Sequence, residues 1–231
     1  MDVDAAWVTG LRNRLAHDHN RWNRTRSLMR KVFDDYGATH PGVIATNPWA
    51  SSKRLKRDGK SDQNRMWPDD VLVAVLRAAT PEFRALVVTL LLTSQRLSDV
   101  VAFRPSQYDP DTRTLGFTDR FAQQKTKTPL VLHVPEALAE VFDAVHGRHD
   151  RTLLVTPRGV PWTTVNAQET MLRIRAILGL DRYTLHGLRA TGPSKLAQGG
   201  VALAVIMALT GHQSERTLRD YLRGVDRSPL A

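Results

Sequence analysis

Residues 80–96 constrain the fold more than any other stretch. Thr80-Pro81-Glu82 supplies a side-chain cap, a proline at the first helical position and an acid in the first turn. Leu86, Val87, Val88, Leu90, Leu91 and Leu92 then leave almost no polar face. A helix of that kind has to be the buried centre of a domain. It stops at Thr93-Ser94-Gln95-Arg96, and Ser98-Asp99 can cap a short successor. An arginine directly after so buried a helix is either an exposed C-terminal charge or a placed functional group. Asp99, three residues on, could hold it.

The elements around this helix are short and mostly helical. Pro68-Asp-Asp starts one that runs to about Ala79, and further helices are expected over 136–145 and 163–178. Between Tyr108 and Pro135 the period changes. Asp109-Pro-Asp-Thr reads as a turn, 114–118 and 129–134 as strands, and Gln123-Gln-Lys125-Thr-Lys127-Thr as a basic hairpin tip. Gly199-Gly200 then separates the helix after Arg189 from Leu203–Leu209. The expected class is therefore mainly α with a small antiparallel β-sheet, an α+β domain. Trp67 and Trp162 read as packing residues.

Upstream, residues 5–37 read as two helices meeting near His17 to Asn20. Trp7, Leu11 and Leu15 fit one apolar face, and Trp22, Leu28, Val32 and Phe33 the next. Gly42 to Arg65 is polar, without helical or strand period. The expected division is 1–46, a helical domain; 47–65, a basic linker; and 66–231, the main domain.

Charge narrows the partners. The net charge is +10, with 13 Lys+Arg against 7 Asp+Glu up to Arg65, so the excess sits mainly in the N-terminal arm and linker. Such a balance favours a polyanion such as nucleic acid. Arg24, Lys53, Arg54, Lys56, Arg57 and Lys127 are the expected contacts to DNA backbone. No cysteine is present, which excludes disulfides and thiolate metal sites. His146 and His149 form an i, i+3 pair with no third ligand evident, so no metal site is expected. The acidic Met1-Asp-Val-Asp start and the shortness of every apolar run predict a soluble cytoplasmic protein with no membrane partner.

Chemistry-bearing residues gather near the C-terminus. His186-Gly-Leu-Arg189 puts a histidine and an arginine on one helical turn, Gly211-His212 follows, and Tyr221 lies in a segment that Ser214 can cap. A guanidinium matches the fork of phosphate oxygens, histidines donate or shuttle protons, and a phenol can act as a nucleophile. The group suits attack on a phosphodiester.

Leu90-Leu-Leu-Thr-Ser-Gln-Arg96-Leu-Ser-Asp99-Val resembles the first arginine motif of the tyrosine recombinases, the phage-integrase family. Gln124-Lys125-Thr126 resembles that family's hairpin lysine, and His186-Gly-Leu-Arg189, Gly211-His212 and Tyr221 resemble its second cluster. The resemblance runs from about Pro68 to Leu222. It implies a mainly helical catalytic domain that cuts one DNA strand at a time and forms a 3′-phosphotyrosine. The strand then passes to a partner's 5′-hydroxyl without metal or nucleotide cofactor. In these terms Tyr221 attacks phosphorus, Arg96 and Arg189 bracket the non-bridging oxygens, and His212 donates to the same phosphate. His186 assists proton movement, Lys125 protonates the leaving 5′-oxygen, and Asp99 orients Arg96 or a histidine.

The same resemblance implies double-stranded DNA as partner, a homo-oligomer (a tetramer) on it, and association with the nucleoid. It also implies a DNA-clamping helical domain before the linker, of which residues 1–46 leave room for the last helices. Ala190-Thr-Gly192-Pro193 departs from the pattern: Pro193 has no N–H to donate back toward the Arg189 carbonyl, which predicts either a kink beside Arg189 or a first-turn position. The alternative from another class is a DNA-binding protein without chemistry, in which 195–222 forms a helix-turn-helix reader or the chain is a decayed integrase. Arg96 and Lys125 discriminate, since such a reader has no use for either.

Overall fold

The computed structural model describes residues 3–56, 66–117, 129–145, 151–180, 182–211 and 214–222, apart from the side chains of Thr217, Asp220, Tyr221 and Leu222. The chain divides into two compact units, 1–61 and 62–231.

In the first unit Asp4 caps α1 (Ala5–Arg14), accepting from Trp7 N at 2.7 Å, and Asp18 caps α2 (His19–Thr39), accepting from Arg21 N at 2.9 Å. Val8, Trp22 and Trp49 form the buried centre, with Trp22 and Trp49 stacked at 5.9 Å. Met29 and Phe33 pack against it, whereas Leu28 and Val32, expected on the inner face, are 63% and 47% exposed. At about 100° per residue the stripe Trp22–Met29–Phe33 and the stripe Leu28–Val32 lie side by side. Trp49 selects the first.

Residues 47–56, expected to begin a linker, instead lie along α2. Asn23 exchanges two hydrogen bonds with the Leu55 backbone (2.9 and 3.0 Å), and Trp22 Nε1 donates to Lys53 O at 3.0 Å. Arg26 Nε donates to Ser52 O at 2.8 Å, and Asn47 Nδ2 to Arg30 O at 3.0 Å. The segment pairs its backbone with side chains in place of a ladder, which satisfies polar groups that burial would otherwise strand.

The second unit is built as the apolar helix demands. Thr80 caps α4 (Pro81–Thr93), and Phe83, Leu86, Val87 and Leu90 are buried in the main core. α3 (Asp69–Ala78) precedes it, and Arg84 closes the α3 C-terminus by donating to Leu76 O at 2.9 Å. After the one-turn α5 (Leu97–Val100), strands β1 (Tyr108–Asp109), β2 (Thr114–Phe117) and β3 (Leu130–His133) form an antiparallel sheet of order β1-β2-β3. Leu115 pairs with Leu132 in that register, and both side chains enter the core. α6 (Glu136–Asp143) and α7 (Thr164–Leu178) follow, the latter opened by a reciprocal Thr163–Asn166 capping box. Trp162 packs edge-on against Phe83, and Trp67 against Tyr183, both as packing residues. α8 (Leu185–Gln198), α9 (Leu203–Thr210) and α10 (Glu215–Leu222) complete the unit, with Ile206 and Leu218 buried between them. Among the described residues no helix is long and apolar enough to cross a membrane.

Candidate active site

The site grows from the end of α4. The helix stops at Ser94, whose φ of 52° is left-handed. Arg96 then stands at the N-cap of α5 with its Nη1 3.8 Å from Asp99 Oδ2. The Asp99 side chain is 2% exposed and that of Arg96 25%. A carboxylate buried so deeply needs a cation beside it, and the pair leaves the guanidinium partly open to solvent.

Arg189 reaches the same turn from α8. It is buried, and its Nη1 donates to Ser94 O at 2.5 Å. Gly192 makes the approach possible. A Cβ there would lie far inside van der Waals contact with the Leu91 carbonyl oxygen and 2.6 Å from Ser94 Oγ. Pro193 is not in a first turn: it sits well inside α8, and the helix runs through it to Gln198 with Arg189 held in place. His186, one turn before Arg189, is exposed at the start of α8. It lines a cleft of about 510 Å³ with Gln168, Met171 and Arg175 of α7. The histidine and arginine expected on one side thus meet different surroundings, one open and one buried.

Gly211 ends α9 with φ 67°, as its place in the sequence predicts. Tyr221 lies in α10, which Leu218 anchors. His212, Lys125, Lys127 and Arg57 lie outside the described residues, as do the side chain of Tyr221 and the pair His146 and His149. The other three tyrosines are engaged elsewhere. Tyr108 donates its hydroxyl to Asp143 Oδ1 at 2.8 Å, and burial together with that carboxylate pushes its pKa up to about 12. Tyr183 packs on Trp67, and Tyr36 stacks on His40 at 4.1 Å.

In the first unit Arg24, Lys53, Arg54 and Lys56 are all exposed. Arg26 sits among them, its pKa lowered chiefly by burial and then by the charges of Arg30 and Arg54. Two residues that sequence reasoning passed over belong to the site's frame. Gln95 is fully buried and its Nε2 donates to both Thr93 O and Thr210 O at 3.0 Å; Gly192 is the other. A lone glutamine between an apolar helix and an arginine was the available signal for the first. Among the described residues no group of three or more His, Cys, Asp or Glu is placed to hold a metal ion.

The sequence profile of the phage integrase family matches residues 69–227. No curated protein matches the chain. A lambda integrase dimer bound to a COC′ core site superposes with TM-score 0.79 at 18% identity, over 100% of this chain and 68% of that one. The Tn1549 transposon integrase in complex with a circular intermediate DNA gives 0.75 at 15% identity, over 95% and 81%. A lambda integrase tetramer bound to a Holliday junction gives 0.74 at 19% identity, over 93% and 65%. At these identities the likeness is one of fold: helical, with a small antiparallel sheet.

Proposed function

Since the chain belongs to the phage integrase family, the tyrosine recombinases, we propose that it cuts and rejoins double-stranded DNA through a 3′-phosphotyrosine on Tyr221. The observation that carries this reading is the gathering of Arg189 and the Arg96–Asp99 pair at one turn. Two guanidiniums there can hold the non-bridging oxygens of a phosphodiester and take up the charge that grows as phosphorus becomes pentacoordinate. Fixed donors of this kind are worth on the order of 10²- to 10³-fold each.

The Tyr221 oxygen attacks phosphorus, the 5′-oxygen leaves with a proton from Lys125, and His212 donates to the phosphate. His186, in its open cleft, takes the phenol proton into solvent. The reverse step, attack by a 5′-hydroxyl of a second strand, restores the tyrosine. Bond energy is kept in the phosphotyrosine, so neither a metal nor a nucleotide is called for. The engagement of Tyr108 with Asp143 supports Tyr221 over it, because a phenol ionising near pH 12 is a poor nucleophile.

Residues 66–231 act as the catalytic domain on this reading, and 1–46 with the basic 47–65 as part of a DNA clamp. Arg24, Lys53, Arg54, Lys56, Arg57 and Lys127 contact phosphates. The solved relatives include a dimer and a tetramer on DNA, which supports a homotetramer on DNA and association with the nucleoid. Incubation with nicked suicide duplex tests the reading. Wild type should trap protein on a 3′ end through Tyr221, identified by peptide mapping, and Tyr221→Phe should bind DNA and trap nothing. Binding without any adduct would leave a DNA-binding protein without chemistry.

A further inference from the structure

We propose that Gln95 is a positioning residue: a shared C-terminal cap for α4 and α9 that holds the exit of α9 in register with the turn bearing Arg96. The inference rests on the catalytic reading above. The last carbonyls of any helix lack intrahelical donors, and when buried they need a partner from elsewhere. Thr93 closes α4 and Thr210 closes α9, and both are buried. One carboxamide has two N–H donors, and the Gln95 amide nitrogen lies 3.0 Å from each of these two oxygens.

The neighbours in sequence give the clamp its meaning. The residue after Gln95 is Arg96, and the chain leaves Thr210 through Gly211 toward His212. Further hydrogen bonds stiffen both ends. Thr93 Oγ1 donates to Thr89 O at 2.6 Å and accepts from Gln95 N at 3.3 Å, and Thr210 Oγ1 donates to Ile206 O at 2.6 Å. An apolar residue of equal size would fill the space but remove the one donor that ties the two helix ends together. It would also free the α9 exit to shift, and a misplacement of about 1 Å can cost on the order of 100-fold in rate.

The test is a double-mutant cycle on adduct formation in the full chain. Gln95→Met should slow trapping by about 10- to 100-fold with DNA affinity unchanged within about twofold. In a His212→Ala background the same change should cost no more than about twofold, because the group it places is already gone. Gln95→Glu gives an independent reading if the methionine variant folds poorly. Its protonated acid keeps one donor, so its deficit against wild type should deepen as pH rises and the carboxyl ionises. Trapping by Gln95→Met at the wild-type rate, an equal loss in both backgrounds, or a Gln95→Glu deficit flat with pH would overturn the proposal. Wild type that forms no adduct overturns the catalytic reading as well, whereas an adduct with any of those three results overturns the clamp alone.

Discussion

Gly192→Ala should destabilise the second unit despite placing a better helix former in α8. The propensity gain is about 1 kcal/mol. Against it, the new methyl would lie 2.6 Å from Ser94 Oγ, where ordinary contact begins at 3.4 Å, and closer still to the Leu91 carbonyl oxygen. The serine can rotate, but the carbonyl belongs to α4 and cannot. α8 must therefore move out, and overpacking of this kind costs about 1–3 kcal/mol. The Arg189–Ser94 hydrogen bond, charge-assisted and 2.5 Å long, is then stretched or broken at a further cost of about 1.5–3 kcal/mol. The net loss is roughly 1.5–5 kcal/mol, a fall in melting temperature of about 3–20 °C for a domain of this size. Differential scanning calorimetry reads it, and adduct trapping should fall with it because Arg189 loses its anchor. Ser94→Gly in the same background removes one of the two clashes and should recover part of the melting temperature. A Gly192→Ala protein that melts at or above the wild-type temperature would refute the close-approach argument.

Trp49→Ala should cost about 3–5 kcal/mol in the first unit, read as loss of its melting transition while the second unit's transition stays in place. Neutralising Lys53, Arg54, Lys56 and Arg57 together should weaken DNA binding alike for all sequences and reduce the salt slope by about 0.9 per lost phosphate contact; a loss confined to one sequence would mean that the segment reads bases. Lys125→Ala should slow cleavage far more than Lys127→Ala, and a 5′-bridging phosphorothiolate, whose leaving group needs no proton, should rescue it. No rescue moves the acid role elsewhere. Tyr108 is held protonated up to about pH 12. Its bond to Asp143 therefore contributes fully below the ordinary phenol pKa near 10 and is lost as pH rises toward 12. Stability measured across that window should fall more for wild type than for Tyr108→Phe.

Where a residue announces its own local structure, the sequence was readable. Thr80-Pro81 starts α4, Thr163 opens α7 three residues before Asn166, and Asp109 turns the chain by accepting from Asp111 N and Thr112 N at 2.9 and 3.2 Å. These depend on neighbours a few residues away. The motif residues of the second unit were legible by type, yet their burial was not: whether Arg189 or His186 faces solvent depends on how α8 meets α4 and α7. The strap at 47–56 was hidden for another reason. Its partners are Trp22, Asn23 and Arg26 of α2, and side chain to backbone pairing leaves no period in the sequence that makes it. Leu28 and Val32 misled because two adjacent apolar stripes on α2 look alike until Trp49 chooses between them.

Ser94 and Gly192 share one small volume, so they should be inherited as a pair. The left-handed backbone at 94 already suits glycine, and here a serine side chain occupies the room that glycine at 192 leaves open. Among descendants of a common ancestor, a chain with a larger residue at 192 should carry glycine at 94 and an α8 set further from the carbonyl at 91, and a side chain at 94 should be found only beside glycine at 192. An alignment of relatives would then show the two positions changing together, although they lie far apart in the chain.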